Sequence, residues 1–384
     1  MFNFKQYDFR HYNIFLIIVV TITGVLGANF VKLASGEELG PSAFKKQLIG
    51  FFLGLLFAII ISLIDYHFIC KFVIFYYILG VLMAAATKFS PIGTDLTTGS
   101  WRWIKLPGIN LQPSELCKII LILTLAVFFT KYEEYMDKFR IFLLGALLMI
   151  LPTAFILVQS DLSSSIVMMF IFAMMIFAAG LSYKIIGALL GVGIPAFIVV
   201  FWYVQQPYQK LLDFYQQGRI LGFLDPEKYS DIMYQQNYSY QAIASGTLLG
   251  KLFNDTASTT RVYRHADVTE SDFIFAVIGE EVGFLGSCAI IILLGIIITI
   301  CLVTAKKAAD RLGMLIAIGI GSMLIFQVFC NIGVATRMLP NTGLPLPFIS
   351  AGLSSLMSCM IAVGILLNIR LQSSRSRTGG FSMI

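Results

Sequence analysis

Apolar runs of about twenty residues alternate with short polar breaks along the chain, at 13–31, 47–64, 68–89, 114–130, 141–158, 162–180, 183–203, 273–303, 312–335 and 351–369. At about 1.5 Å of rise per helical residue, runs of this length match ~30 Å of hydrocarbon. The pattern predicts an all-α integral membrane protein with ten transmembrane helices, a single polytopic domain over residues 1–384. One break differs in kind. The polar stretch Gln205 to Ser271 has 67 residues, too many for a connector between the seventh and eighth helices. It is rich in tyrosine, and Tyr240 to Phe253 reads as a short helix at the membrane interface, a lid over something lipidic.

Composition sharpens the class. Hydrophobic residues make up 58% and charged residues 12% of the chain, with a mean hydropathy of +0.85; a soluble domain of that composition would hold a large apolar surface in water. Basic residues concentrate in short segments on one side: Lys5, Arg10, Lys71, Lys131, Lys138, Arg140, Lys184, Lys306, Lys307, Arg311, Arg370, Arg375 and Arg377. By the positive-inside rule both termini are cytoplasmic, and the loops at 90–112, 205–271 and 336–350 lie on the outer face. The net charge of +6 reflects this bias and a basic tail, which reads as a membrane-surface anchor rather than a nucleic-acid site. The six cysteines sit in or beside apolar runs without close pairing, as small apolar filler.

Candidate chemistry gathers at the outer ends of the runs. Asp272 lies where the long loop meets the eighth run, and Glu280 and Glu281 follow inside it. A carboxylate at mid-membrane costs roughly 2.5–3.5 kcal/mol and persists only where it faces protein, water or substrate. On a helical wheel Ala276, Gly279, Gly283 and Gly286 share the face of Asp272, a small-residue stripe that leaves a groove for another helix or a lipid chain. Ahead of the fourth run, Arg102 stands between Trp101 and Trp103, suited to a phosphate or to the headgroups. Pro113 suits the first helical turn, which puts Glu115 and Lys118 within salt-bridge reach. An orienting ion pair and a substrate role both fit that pair. Asp161, in the tight break Gln159-Ser160-Asp161-Leu162, can cap the next helix and also serve a site. In Asn341 to Ser350 two prolines enforce an extended loop, and Ser350, with Gly352, Ser354 and Ser355 beyond it, offers donors to an anion.

Together these segments resemble the shape, elongation, division and sporulation (SEDS) family, the FtsW/RodA/SpoVE group of bacterial cell-wall proteins, from about Thr94 to Ile369. The likeness rests on Arg102-Trp103-Ile104, on Gln112-Pro113-Ser114-Glu115 with Lys118, and on Gln159-x-Asp161-Leu162. It continues through Arg219 to Pro226, Asp272 to Glu281, and Asn341 to Ser350. The chain departs from the family at Ala351 to Ser355, where Tyr-Gly-Gly-Ser-Ser is usual, and at Ser163, where glycine follows Asp-Leu. The resemblance implies a ten-span peptidoglycan glycosyltransferase of the cytoplasmic membrane that polymerises lipid II, with Asp272 at the family's essential aspartate. It also places Arg102, Gln112, Glu115, Lys118, Asp161 and Glu280 at motif positions. The implied partners are lipid II, the growing glycan strand and a class B penicillin-binding protein.

The implied reaction joins a sugar hydroxyl to an anomeric carbon and expels undecaprenyl pyrophosphate. A sugar hydroxyl is a weak nucleophile and needs one general base, where a glycosidase needs two flanking carboxylates. Asp272 is the candidate base. Arg102, Lys118, Arg261, Arg264 or a divalent cation, Mg or Mn, would meet the leaving pyrophosphate. Two other classes compete: a lipid II flippase using the acids as a proton relay, and a scaffold that only recruits transpeptidases.

Overall fold

The computed structural model describes residues 7–94, 101–106, 109–253, 260–266 and 269–373. Lys5, Arg375 and Arg377 of the charge pattern lie outside the described residues. The apolar runs are helices: α1 (Ile14–Ala34), α2 (Gly36–Ser62), the short α3 (Tyr66–Lys71), α4 (Val73–Phe89), α5 (Pro113–Lys131), α6 (Phe139–Val158), α7 (Leu162–Ala178) and α8 (Tyr183–Val204). Then follow α9 (Phe214–Leu224), α10 (Ser230–Ser245), α11 (Ile274–Lys306), α12 (Arg311–Ala335) and α13 (Leu353–Leu371). Among the described residues eight helices are long and apolar enough to cross a membrane, and α4 and α7 are shorter apolar helices of 17 residues each. The protein is a multi-pass, all-α membrane protein.

The bundle closes around α5, α7, α12 and α13, where Ile122, Leu125, Met175, Ile320 and Leu367 are wholly buried. Lipid-like side chains gain little from one another in a bilayer, so close packing decides which helices touch. Gly24 of α1 sits directly against the ring of Phe51 in α2, and Gly319 of α12 against Ile122 and Met175. By contrast α8 buries only Val204. It meets the core through Ile185, Ile186 and Leu189 near its start, and Phe197, Ile198, Val199 and Trp202 stand exposed on its far half.

Three features differ from the sequence expectation. The 90–112 loop holds a small antiparallel sheet, β1 (Gly93–Thr94), β2 (Trp103–Leu106) and β3 (Ile109–Leu111), with Thr94 opposite Trp103 and Ile104 opposite Leu111. The interfacial helix expected at Tyr240 to Phe253 is instead α10, which ends at Ser245 and is followed by a turn and a single 3-10 turn at Lys251–Phe253. Its polar face is drawn inward. Gln236 Nε2 donates to the carbonyls of Val334 (2.9 Å) and Leu339 (2.6 Å), and Ser239 Oγ to that of Ala335 (2.9 Å). The carbonyls of Ala335 and Leu339 lie at and beyond the end of α12, where helical N–H partners run out, while that of Val334 also accepts from the Thr336 and Arg337 N–H groups.

The third difference is in α11, which breaks at Gly283 (φ 65°, ψ −164°), a backbone only glycine adopts cheaply. Beyond the break, the N–H groups of Phe284 and Leu285 donate to the carbonyls of Thr247 (2.9 Å) and Leu248 (3.1 Å). The expected glycine stripe is therefore filled by the chain's own loop: Ile243 packs on Gly279, and the backbone of 248–250 on Gly283. Residues 284–306 alone span about 34 Å. The hydrocarbon is crossed without the half-helix 274–282 that carries Glu280 and Glu281. These acids do not stand in lipid.

On the face opposite the long loop, His67 bridges two carboxylates, Asp65 (2.8 Å) and Asp310 (2.6 Å), while the Tyr66 hydroxyl donates to Asp310 (2.8 Å) and Gln372 Nε2 to Asp65 (3.0 Å). This ties the α2–α3 turn to the starts of α3 and α12 and the end of α13. Burial works to lower the imidazole pKa, but the bonds to Asp310 and Asp65 outweigh it and raise it to about 9. A histidine raised in the folded state contributes stability that is full below its ordinary value of 6.5 and fades as pH climbs through about 9. Detergent-solubilised protein is expected to lose melting temperature across that window. His67→Phe, which leaves two half-buried carboxylates without their cation, is expected to cost ~2 kcal/mol near neutrality, less than a fully buried pair, and to flatten the alkaline decline.

Candidate functional site

Asp272 is fixed mainly through its backbone. Three successive carbonyls accept bonds from elsewhere in the chain: Glu270 from the Ala351 N–H (2.8 Å), Ser271 from Ser350 Oγ (2.6 Å), and Asp272 from Asn331 Nδ2 (2.9 Å). Asn331, buried in α12, also donates to the Leu344 carbonyl (2.7 Å), so one amide holds the acid and the 341–350 loop together. Ser350 accepts from the Leu346 N–H (2.8 Å), and its own carbonyl is held by Gln47 of α2 (3.0 Å).

The Asp272 side chain opens into a cavity of about 260 Å³. Arg102, Gln112, Glu115, Asp161, Arg219, Gly343 and Ser354 are among its lining residues. Gly343 (φ 69°) touches the acid: a side chain there would begin 3.1 Å from Asp272 Oδ2 and 3.9 Å from Arg219 Nη1. Burial raises the Asp272 pKa above the usual carboxylate range and Asp161 adds to this, while Arg219, a bond from Ser271 and Arg102 pull it down. The result is a carboxylate more basic than in water, flanked by two guanidiniums.

Each neighbour is placed by its element. The three-stranded sheet carries Arg102 beside β2, and its Nη2 donates to the Ser160 carbonyl (2.5 Å). Asp161 caps α7 by accepting from the Ser164 N–H (3.1 Å) and also lines the cavity, so the cap and site readings coexist. Pro113 starts α5, setting Glu115 on the cavity wall. Gln112 N–H donates to Ser354 Oγ (3.1 Å) and Ser358 Oγ to the Glu115 carbonyl (2.8 Å), which ties α5 to α13.

Five residues singled out in the sequence, Asp272, Arg102, Gln112, Glu115 and Asp161, thus meet in one cavity. Three lie apart from its lining. Lys118 is wholly buried behind Glu115, with Nζ 2.7 Å from Oε1. Ser350 supports the backbone beneath Asp272. Glu280 sits in the half-helix of α11, where it pairs with Lys251 and accepts from the N–H groups of Val262 (2.8 Å) and Tyr263 (2.9 Å). Glu281 beside it accepts from Arg261 Nε (2.7 Å) and the Tyr263 hydroxyl (2.9 Å). This pair of acids anchors the long loop, and Arg261 is occupied there, while Arg264 lines a separate cavity and not the one beside Asp272. Sequence reasoning passed over Arg219 and Asn331 as site residues. Their signals were present: the lone charge in α9, and an amide inside an apolar run.

The described residues include no group of three or more His, Cys, Asp or Glu side chains able to hold a metal. The cavity brings the carboxylates of Glu115, Asp161 and Asp272 together with the guanidiniums of Arg102 and Arg219.

The profile of the cell cycle protein family of FtsW, RodA and SpoVE matches residues 10–375. The chain belongs to the FtsW/RodA/SpoVE family. It is similar to the probable peptidoglycan glycosyltransferase FtsW of Geobacter sp. (strain M18), with 31% identity over 92% of this chain and 94% of that protein. The Trichlorobacter lovleyi FtsW is 32% identical over 96% of this chain and 94% of its own length. Among solved structures, one chain from a peptidoglycan synthase complex that coordinates polymerization and crosslinking superposes with a TM-score of 0.75 at 26% identity, covering 95% of this chain and 97% of that one. The rod shape determining protein RodA of Thermus thermophilus superposes at 0.66 and 25% identity over 97% and 98%. Arg102, Asp161, Arg219 and Asp272, distant in this FtsW/RodA/SpoVE sequence, are thereby gathered at one end of the family's bundle.

Replacing Asn331 by Leu keeps the size of the side chain but removes both donors. Two buried carbonyls lose a partner, at a cost of about 1–3 kcal/mol each. The expected result is a folded protein with a lower melting temperature whose turnover falls more than its substrate affinity, read from kcat and KM separately.

Proposed function

We propose that this protein is a peptidoglycan glycosyltransferase that polymerises lipid II at the outer face of the cytoplasmic membrane. The observation that carries the reading is a carboxylate made basic by burial, held beside Arg102 and Arg219 in one cavity. The names of its relatives support it. In this reading α4 and α7 complete ten spans, both termini are cytoplasmic and the long loop faces outward, as the distribution of basic residues favours.

Asp272 accepts the proton of the incoming N-acetylglucosamine 4-hydroxyl as its oxygen attacks the anomeric carbon of the N-acetylmuramic acid on the growing strand. The bond from that carbon to the pyrophosphate breaks, and undecaprenyl pyrophosphate leaves with inversion. Negative charge grows on the departing phosphate, where Arg102 and Arg219 stabilise it. Lys118 acts at one remove, as the cation paired with Glu115 of the cavity wall. The lipid tail has a route beside α8, which leaves its flank unpacked. A class B penicillin-binding protein is the proposed partner, in line with the polymerization and crosslinking complex that this chain resembles. The flippase reading loses support from Glu280 and Glu281, which are spent on Lys251, Arg261 and backbone donors rather than strung along a path.

Purified protein with labelled lipid II tests the assignment. Polymer formation is expected to drop about 10²–10⁴-fold in Asp272→Asn with the fold intact. Arg219→Ala is expected to lose about 10²-fold in kcat; an unchanged rate would remove it from the phosphate. Because the Asp272 pKa is raised, activity should climb with pH through a point above the usual carboxylate range as the base ionises. Movement of lipid II across vesicles without polymer would favour the flippase.

A further inference from the structure

A second cavity opens on the loop face, about 580 Å³ in volume, between the α1–α2 turn and residues 264–266 and 269–270. Its lining includes Ser35, Gly36 and Ser42 on one side and Arg264, Thr269 and Glu270 on the other. The two cavities share a wall. Ser271 and Asp272 line the first, Thr269 and Glu270 the second, and the Ala351 N–H bond to Glu270 pins the wall between them. Two residues of chain extend at most about 7 Å, a gap that linked sugars can bridge.

We propose that this second cavity is a saccharide subsite that holds the growing glycan strand next to the reacting sugar. The inference rests on the glycosyltransferase reading and says where the product of that reaction goes. A strand joined at Asp272 has to leave toward water, and this cavity lies on the same face across the wall. Its position is aqueous: α2, with 27 residues, is about 40 Å long, roughly 10 Å more than hydrocarbon needs, and its excess first turns carry Glu37 and Glu38 as well as the lining residues. Its chemistry suits a sugar. Serine and threonine hydroxyls, one guanidinium and one carboxylate offer both donors and acceptors, and glycine at the rim keeps the surface open. Ala34, Leu39, Ala43 and Ala266 complete the wall, a surface for the C–H face of a sugar ring; a lipid tail would leave the hydroxyls, the guanidinium and the carboxylate unmatched, and a phosphate alone would leave the Glu270 carboxylate opposing it.

The subsite governs how long a strand stays bound, not how fast one bond forms. Ser42→Trp fills it from an exposed position on α2, and Arg264→Ala removes its cation. With labelled lipid II and products resolved by length, both variants are expected to release strands about fivefold sooner, equivalent to ~1 kcal/mol of lost binding. Mean length should fall accordingly while the rate of the first disaccharide coupling stays at the unaltered level. That first-coupling rate also reports correct folding. Strand lengths equal to those of the unaltered protein in both variants would overturn the proposal. If the unaltered protein makes no polymer at all, the glycosyltransferase reading falls, and this subsite with it.

Discussion

The backbone around Asp272 carries three hydrogen bonds from residues far away in sequence, and the geometry of the cavity follows from them. Ala351, Ser350 and Asn331 each donate to a successive carbonyl, so most of the fixing falls on groups that do not touch its carboxylate, which accepts a bond from Ser271. A base must be rigidly placed yet unencumbered, since a strong bond to its own oxygens would stabilise the charged form and lower its basicity. Anchoring through the main chain satisfies both demands. It also couples α12, α13 and the 341–350 loop, whose prolines keep the segment extended across the cavity.

The two acids of the α11 half-helix have a different task. Glu280 and Glu281 are buried, and each is matched by a cation and by further donors from the long loop. Removing one partner of such a pair costs about 3–5 kcal/mol, which makes the loop a fixed wall of the site. The break at Gly283 is part of the same arrangement, because it exposes two N–H groups that the loop carbonyls of Thr247 and Leu248 fill.

The helices were legible because hydrocarbon demands long apolar runs, and most positions emerge within a few residues, but α2 begins at Gly36, well before the run at 47–64, because its first turns are polar. Asp272, Arg102, Gln112, Glu115 and Asp161 were legible as polar residues at the ends of those runs, and the structure brings them together. What stayed hidden was pairing. The i, i+3 spacing did show the Glu115–Lys118 pair, but nothing local tells that the pair takes Lys118 out of the cavity, that Glu280 is claimed by Lys251, or that Gly279 and Gly283 admit the chain's own loop rather than a lipid. Arg219 lies more than fifty residues from Asp272, and only the packing of α9 across the mouth makes them neighbours. The interfacial helix failed for a related reason: Gln236 and Ser239 found carbonyls at and beyond the end of α12, a better partner than water.

The isolation of α8 has a mechanical consequence. With protein contact confined to one end, its tilt answers to bilayer thickness, since a mismatch between helix and acyl chains is relieved by leaning at small cost. Its far end is tethered: Gln217 Nε2 bonds the carbonyls of Val204 (2.9 Å) and Gln206 (3.0 Å), and Gln217 stands two residues before Arg219 in α9. A loosely packed span is thereby joined through one glutamine to the helix that carries a guanidinium beside the base.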